Sequence, residues 1–335
     1  MRIFKLALAV AAGLLISCKS KDVPYMEING FAEGTSFHIV YKDPEERDLR
    51  NEIQGFFAEF ENSLSIYEPH SLVSQINRNE TDSVDTWLGR CFELAEQVSE
   101  ASDGRFDITL RPLISAYGFG GEGDFRELTD SQRDSMLQFV GYRKVRLQDG
   151  RIIKDDPRIQ LDFNAIAKGY SSDLLAEMMD GMGIKDYMIE VGGEIFCRGA
   201  NPRGKQWRVA IDRPVEGNYI PGNDIQTELS LTDRGLATSG NYRKFVYNEA
   251  GEMVGHTIDP LTGKFAAHNL LSATIIAPTC ALADGYATAC MVIGLEKSME
   301  LLAAHPELEG YLIYSDKDGN MRIYITRNIQ GRINQ

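Results

Sequence analysis

No Cys-x-x-Cys pair occurs in this chain of 335 residues, and its five cysteines and five histidines show no zinc-site spacing. A cysteine-based metal cluster is therefore not expected. Positive charge is also scarce: 35 Lys and Arg face 49 Asp and Glu, a formal net charge of −14. That balance argues against nucleic acid as a partner. A protein this acidic needs a few placed bases or a divalent cation if it is to hold an anionic ligand. Long apolar runs are missing too, since the stretch Leu6 to Ile16 is about 11 residues, against the roughly 20 that span a bilayer. No Gly-x-x-x-x-Gly-Lys-Ser/Thr, His-Glu-x-x-His or Gly-x-Ser-x-Gly is present, and no Gly-x-Gly-x-x-Gly sits between strand and helix. Neither a Pro-, Gly- or Ser-rich linker nor an internal repeat divides the chain.

What is present begins with "MRIFKLALAVAAGLLISCKSKD". Arg2 and Lys5 precede the apolar run, and Cys18 follows the small residue Ser17, the pattern of a lipoprotein signal. The expected organisation is a signal peptide over 1–17, a tether over 18–25 with Cys18 lipidated, and one domain over 26–335. An ordinary secretory signal with a coincidental cysteine is the alternative. The remaining cysteines, Cys91, Cys197, Cys280 and Cys290, sit in apolar surroundings and read as buried thiols, with an export-linked disulfide left open.

An apolar fraction of 43% is that of a globular chain. "DPEERDLRNEIQGFFAEFENSLS" and "SVDTWLGRCFELAEQVSEAS" carry helical apolar spacing, and "CALADGYATACMVIGLEKSMELLAAH" reads as one last helix. "KVRLQDGRIIK" and "GYLIYSDKDGNMRIYI" read as hairpins, while "DYMIEVGGEIFCRG", "WRVAIDRP", "ELSLT" and "LSATIIAP" are β-rich. Helices and hairpin-linked strands without a βαβ rhythm predict an α+β fold with a helical N-terminal part on a largely antiparallel β-rich part.

Four stretches can carry chemistry. In "ALADGYATA", Asp284 and Thr288 lie four residues apart on a helix, so both oxygens face one side and could share a magnesium ion. A local turn cap and a backbone-bonded threonine are the plain alternatives. In "LDFNAIAKGYSSDLLAEMM", Asp162 stands at a strand end, Ala165 in a turn and Lys168 near a helix start. A surface lysine is the commoner reading, but a cation at the positive end of a helix calls for an anion nearby. In "ATSGNYRKF" and "GHTIDPLTGK", Thr238, Ser239 and Gly240 read as a polar turn, and His256 is a candidate general base or an ordinary strand histidine. Tyr67 and Tyr117 stand in polar, turn-rich settings where a ring could stack on a planar heterocycle or be partly buried.

Taken in order, "EGTSFHIVY", "SIYEPHSLVSQIN", "GRFDITLRPLISAYGFG", "LDFNAIAKGYSSD", "IEVGGEIFCRG", "LATSGNYRKF", "HTIDPLTGK" and "SATIIAPTCALADGYATACMVIG" resemble the ApbE-type FAD:protein FMN transferase family over nearly the whole mature chain. The resemblance implies an ApbE-like (T-fold-like) architecture, with FAD as substrate contacted by Glu33, Tyr67, Ala116, Tyr117, Gly118, Asp162, Lys168 and Ile258. It implies magnesium on the Ala165 carbonyl, the Asp284 carboxylate and the Thr288 hydroxyl. FMN would pass to a threonine or serine hydroxyl of an acceptor protein, releasing AMP, with His256 taking the proton and Asp284 serving through the metal. Glu33 replaces the usual methionine, Tyr117 a usual tryptophan, and Asn164 stands where glycine is common. Implied acceptors are exported flavoprotein subunits of sodium-pumping NADH:quinone reductase or Rnf-type complexes, or other exported flavoproteins. The implied location is extracytoplasmic, lipid-anchored to a bacterial membrane facing the periplasm. An FAD pyrophosphatase and a non-catalytic flavin-binding lipoprotein are the alternatives. An aromatic residue at the Tyr67 position accompanies transferase behaviour in the family.

Overall fold

Apolar spacing and hairpin turns organise the chain into helices laid on one large sheet. The computed structural model describes residues 23–119, 125–215, 217–218, 222–240, 245–247, 253–255 and 257–334. The signal segment, Cys18 and His256 lie outside the described residues. The first part holds strands β1 (Met26–Ala32) and β2 (Thr35–Lys42), then helices α1 (Arg50–Leu64), α2 (Leu72–Asn77), α3 (Thr86–Ala101), α4 (Arg111–Ala116) and α5 (Asp130–Leu137). The hairpin β3 (Val145–Gln148) and β4 (Arg151–Lys154) leads to helix α6 (Ala167–Gly181). Strands β5 (Asp186–Val191), β6 (Glu194–Arg198), β7 (Trp207–Asp212), β8 (Ile225–Leu231), β9 (Arg234–Gly240), β10 (Phe245–Tyr247), β11 (Met253–Gly255) and β12 (Leu270–Ala277) follow. Helices α7 (Cys280–Ile293) and α8 (Leu295–Ala304) and strands β13 (Glu309–Ser315) and β14 (Met321–Ile325) complete it.

Eight strands form one sheet in the order β1-β2-β5-β6-β9-β12-β13-β14. Every neighbouring pair is antiparallel, and β1–β2, β5–β6 and β13–β14 are joined as hairpins. One face of the sheet carries the helices. Helix α1 buries Ile53, Phe56, Phe57, Phe60 and Leu64, a stripe at three- and four-residue spacing, and α3 buries Leu88, Cys91, Phe92, Ala95 and Val98 in the same way. The other face holds a smaller core against the β7–β8 ribbon, where Trp207, Val209, Leu229 and Leu231 meet Leu236, Ile276 and Ile313. The α+β expectation holds.

Helix α7 is central. Its small residues Ala281, Ala283, Gly285, Ala287 and Ala289 are buried along with Asp284 and Tyr286, and it packs on α6, α3, β9 and β12. The close approach at its start leaves no room for side chains. A Cβ on Gly169 of α6 would meet the Cys280 carbonyl oxygen at 2.4 Å, and one on Gly235 of β9 would meet the Cys280 nitrogen at 2.3 Å. From α6, Asp173 accepts hydrogen bonds from the Cys280 and Ala281 amides at 2.7 and 2.8 Å, so a neighbouring helix caps α7.

Four expectations need correction. The run expected as one helix after Cys280 is two, because Gly294 takes φ 78° and turns the chain between α7 and α8. Leu161 and Asp162 are not in a strand: their amides donate singly, to Asn77 Oδ1 and to the Ile108 carbonyl, rather than into a ladder. Thr238, Ser239 and Gly240 end strand β9 rather than forming a turn. The first helix begins at Arg50, because Asp43 binds Arg47 and the Glu45 and Arg47 amides and so holds a turn ahead of it. Cys91, Cys197, Cys280 and Cys290 are buried free thiols.

Candidate active site

The start of α6 and the first turns of α7 bring together the residues that sequence reading singled out. In a regular helix entry the Gly169 amide would donate to the Ala165 carbonyl. Here it donates to Asp284 Oδ2 at 3.1 Å, and the Ala165 carbonyl receives no backbone hydrogen bond among the described residues. The Gly169 amide is thus committed to the α7 carboxylate rather than to the turn that precedes α6. Thr288 lies one turn beyond Asp284 on α7, and its hydroxyl pairs with Ser239 Oγ at 3.3 Å. Behind them, Ser171 and Ser172 donate to the Lys168 carbonyl at 2.9 and 3.1 Å.

Lys168 sits in the first turn of α6, where a cation opposes the helix dipole. Its ammonium meets Glu194 Oε2 at 2.7 Å, and about 30% of its side-chain surface stays open. Glu194 follows the Gly192-Gly193 turn between β5 and β6, and that turn holds the lysine stem, since a Cβ on Gly192 would meet Lys168 Cδ at 3.1 Å. Burial pushes the ammonium down, but Glu194, Asp284 and Glu33 more than offset this, and the group stays firmly protonated. Burial pushes the Glu33 carboxyl up to about 8, against the pull of Ser171 and Lys168. It also raises Asp284, helped by Glu194 and opposed by Lys168 and the Gly169 amide. Three carboxyl groups thus crowd one ammonium, and a divalent cation beside them would favour the ionised forms that burial disfavours. No group of three or more His, Cys, Asp or Glu suited to a metal occurs among the described residues. The donor set of one carboxylate, one carbonyl and one hydroxyl is instead the kind magnesium accepts when substrate phosphates and water complete its shell.

Glu33 reaches this cluster from the tip of the β1–β2 hairpin, whose turn residues Glu33 and Gly34 have φ 51° and 70°. The Glu33 amide donates to Glu61 Oε1 at 2.8 Å, tying the tip to α1. Just past α1, Tyr67 is exposed, and its hydroxyl accepts from Asn164 Nδ2 at 3.3 Å. Asp162 is buried. Its Oδ1 accepts the Asn164 amide at 2.9 Å, and burial raises its pKa against that bond and the nearby Arg111.

Ala116, Tyr117, Gly118 and Ile258 form a second group, linked to the first through segment 105–111. There Arg105 pairs with Asp259 at 2.6 Å, and Ile108 accepts the Asp162 amide. Tyr117 is not in the polar setting expected. It is 4% exposed, packs 4.6 Å from Phe265 in a small core with Leu113, Val140 and Ile258, and donates its hydroxyl to the Gly263 carbonyl at 2.7 Å. Ala116 closes α4, its carbonyl accepting from Arg126 Nε at 2.6 Å, and Gly118 leaves the helix at φ 85°.

Sequence reading did not single out Glu194, Glu61, Asp173 or Asn164 as part of the site. Glu194 carried a usable signal, because a carboxylate directly after a Gly-Gly turn between two apolar strands is placed at a strand end, where sites collect.

The ApbE family profile matches residues 34–312. The FAD:protein FMN transferase of Haemophilus influenzae is 30% identical over 328 residues, spanning 93% of each chain, and that of Vibrio cholerae is 30% identical over 319 residues, spanning 93% of this chain and 94% of its own. Among solved structures, the flavin transferase ApbE from Vibrio cholerae superposes with TM-score 0.82 at 28% identity, covering 92% of this chain and 99% of its own. The Pseudomonas stutzeri flavinyl transferase ApbE in its apo form gives 0.81 at 27% identity, covering 91% and 95%.

Proposed function

The chain belongs to the ApbE family and is an FAD:protein FMN transferase, and from that premise we propose how its residues serve the reaction. The transfer is from FAD to a threonine or serine hydroxyl of an acceptor flavoprotein. The hydroxyl oxygen bonds to the FMN phosphorus, the bond from that phosphorus to the bridging oxygen breaks, and AMP leaves with that oxygen. Protein work in such a transfer is mostly positioning and charge neutralisation.

The observation that carries this reading is the convergence at the α6–α7 junction, where the Ala165 carbonyl is free and the Asp284 carboxylate is held by the Gly169 amide. With the Thr288 hydroxyl they would hold magnesium, which when bound supplies positive charge against the pyrophosphate. Lys168, open over part of its surface, adds a second positive charge. Asn164 orients Tyr67 at the rim. Glu33, Ala116, Tyr117, Gly118, Asp162 and Ile258 are the further FAD contacts, and His256 takes the hydroxyl proton. The supports for His256 are its histidine chemistry and its place two residues before Ile258. Cys18 as a lipid anchor, a periplasmic location and acceptors from sodium-pumping or Rnf-type complexes rest on the signal pattern and the family resemblance. No described helix is long and apolar enough to cross a membrane.

The test is incubation of the purified protein with FAD, magnesium and the flavoprotein subunit of a sodium-pumping NADH:quinone reductase, followed by intact mass. The expected result is an acceptor carrying one FMN and one AMP released for each. Free FMN and AMP with an unmodified acceptor would make the protein a pyrophosphatase instead.

A further inference from the structure

A transferase that modifies a protein must grip the acceptor chain as well as the flavin, and strand β1 offers the means. Among the described residues it is an edge strand, paired only with β2 over seven residue pairs without a bulge. Edge strands are usually blunted by Pro, Lys, bulges or covering segments. The β1 sequence "MEINGFA" has no Pro and no Lys, and only Glu27 carries charge.

The register fixes which main-chain groups point outward. Ala32 and Thr35 close a two-residue turn, so they exchange both ladder hydrogen bonds, as do Gly30 with Phe37 and Ile28 with Ile39. The amides and carbonyls of Glu27, Asn29 and Phe31 therefore face away from β2. Phe31, 75% exposed, and Tyr67, 58% exposed, are the two most exposed large apolar side chains among the described residues. Two residues past Phe31, the hairpin tip delivers Glu33 beside Lys168 and Ser171.

On the basis of the transferase reading above, we infer that the outer edge of β1 binds an extended segment of the acceptor protein as an added strand. The segment runs along Glu27, Asn29 and Phe31, with its hydroxyl residue beyond the Glu33 tip. Main-chain hydrogen bonds supply affinity without demanding one acceptor sequence, and Phe31 supplies an apolar contact.

Proline at position 29 tests this, because it removes an outward amide and leaves the β1–β2 ladder intact. With the reductase subunit as acceptor and FAD saturating, Asn29→Pro and Phe31→Ser should each raise the acceptor KM by about tenfold or more, the scale of one or two lost contacts. The Kd for FAD should be unchanged in both. Hydrogen exchange at the Asn29 and Phe31 amides should slow when the acceptor is added. That measurement and Phe31→Ser decide the matter if Asn29→Pro does not fold. An unchanged acceptor KM in the folded variants, or unchanged exchange at both amides, overturns the inference. So does exchange in the free protein that slows with its own concentration, because the edge would then join two copies of this chain. A wild-type protein that binds FAD but modifies no acceptor overturns the transferase reading itself.

Discussion

Replacing Gly169 with alanine tests whether the approach of α6 to α7 sets the site. The added Cβ would lie 2.4 Å from the Cys280 carbonyl oxygen, 2.7 Å from its carbon and 2.9 Å from the Ala281 nitrogen, all backbone atoms that no rotamer change can move. Ordinary contact begins at 3.4 Å, so the helices must part by about 1 Å. Overpacking of this kind costs about 1–3 kcal/mol. Weakening the Gly169 amide bond to the buried Asp284 carboxylate adds about 1.5–3 kcal/mol. The helix propensity gained on leaving glycine returns about 1 kcal/mol. The expected net loss is about 1.5–5 kcal/mol, read as a lower urea midpoint at unchanged m. A displacement of about 1 Å between the Ala165 and Asp284 oxygens should lower FMN transfer by about a hundredfold. Gly181→Ala, on the same helix with nothing within 4 Å of the added carbon, is the control and should match or slightly exceed wild type. Gly169→Ala with wild-type stability and transfer rate would refute the close junction as the element that holds the site.

Asp284→Ala should abolish magnesium-dependent transfer while circular dichroism stays that of wild type, and transfer near the wild-type rate would place the metal elsewhere. Tyr67→Ala, at an exposed position, should change stability by less than about 0.5 kcal/mol but raise free FMN relative to modified acceptor, read by chromatography of the products. Asp43 is held at about 2 by Arg47, against burial and with help from the Glu45 and Arg47 amides. Its folded pKa lies below the ordinary 3.8, so its stabilisation is complete above that pH and disappears as pH falls through about 2. Asp43→Asn should therefore lose about 1–2 kcal/mol at neutral pH and converge with wild type in acid, and a gap independent of pH would refute the ion pair. Cys18→Ala should leave the precursor without lipid label in cells, and unchanged labelling would remove that anchor.

Much of the fold can be read from the chain because its strands alternate and its turns are marked. The β3–β4 and β13–β14 hairpins fall where Asp-Gly dipeptides interrupt apolar alternation, and β5–β6 turns at Gly192-Gly193. Helices α2, α4 and α5 escape notice because six to eight residues hold too few turns for a period to emerge. Helices α7 and α8 read as one because their apolar pattern runs straight through Gly294, whose positive φ leaves no mark in hydrophobicity. In the site, Lys168, Asp284 and Thr288 stand out by residue type and motif order. Glu194 does not, because its burial comes from α6 packing back on the β5–β6 hairpin that follows it, a tertiary contact that the pattern within either element does not show.

Asp173 caps a helix that is not its own, and the two helices it joins touch with no side chain between them at Gly169. Neither can loosen alone. Fraying the start of α7 would strand a buried carboxylate, and withdrawing α6 would expose the first amides of α7. The pair should therefore open in one cooperative step, with slow amide exchange shared across both helices. The residues assigned to hold magnesium then inherit the persistence of the protein's core, where an active site carried on a surface loop would share that loop's fluctuations.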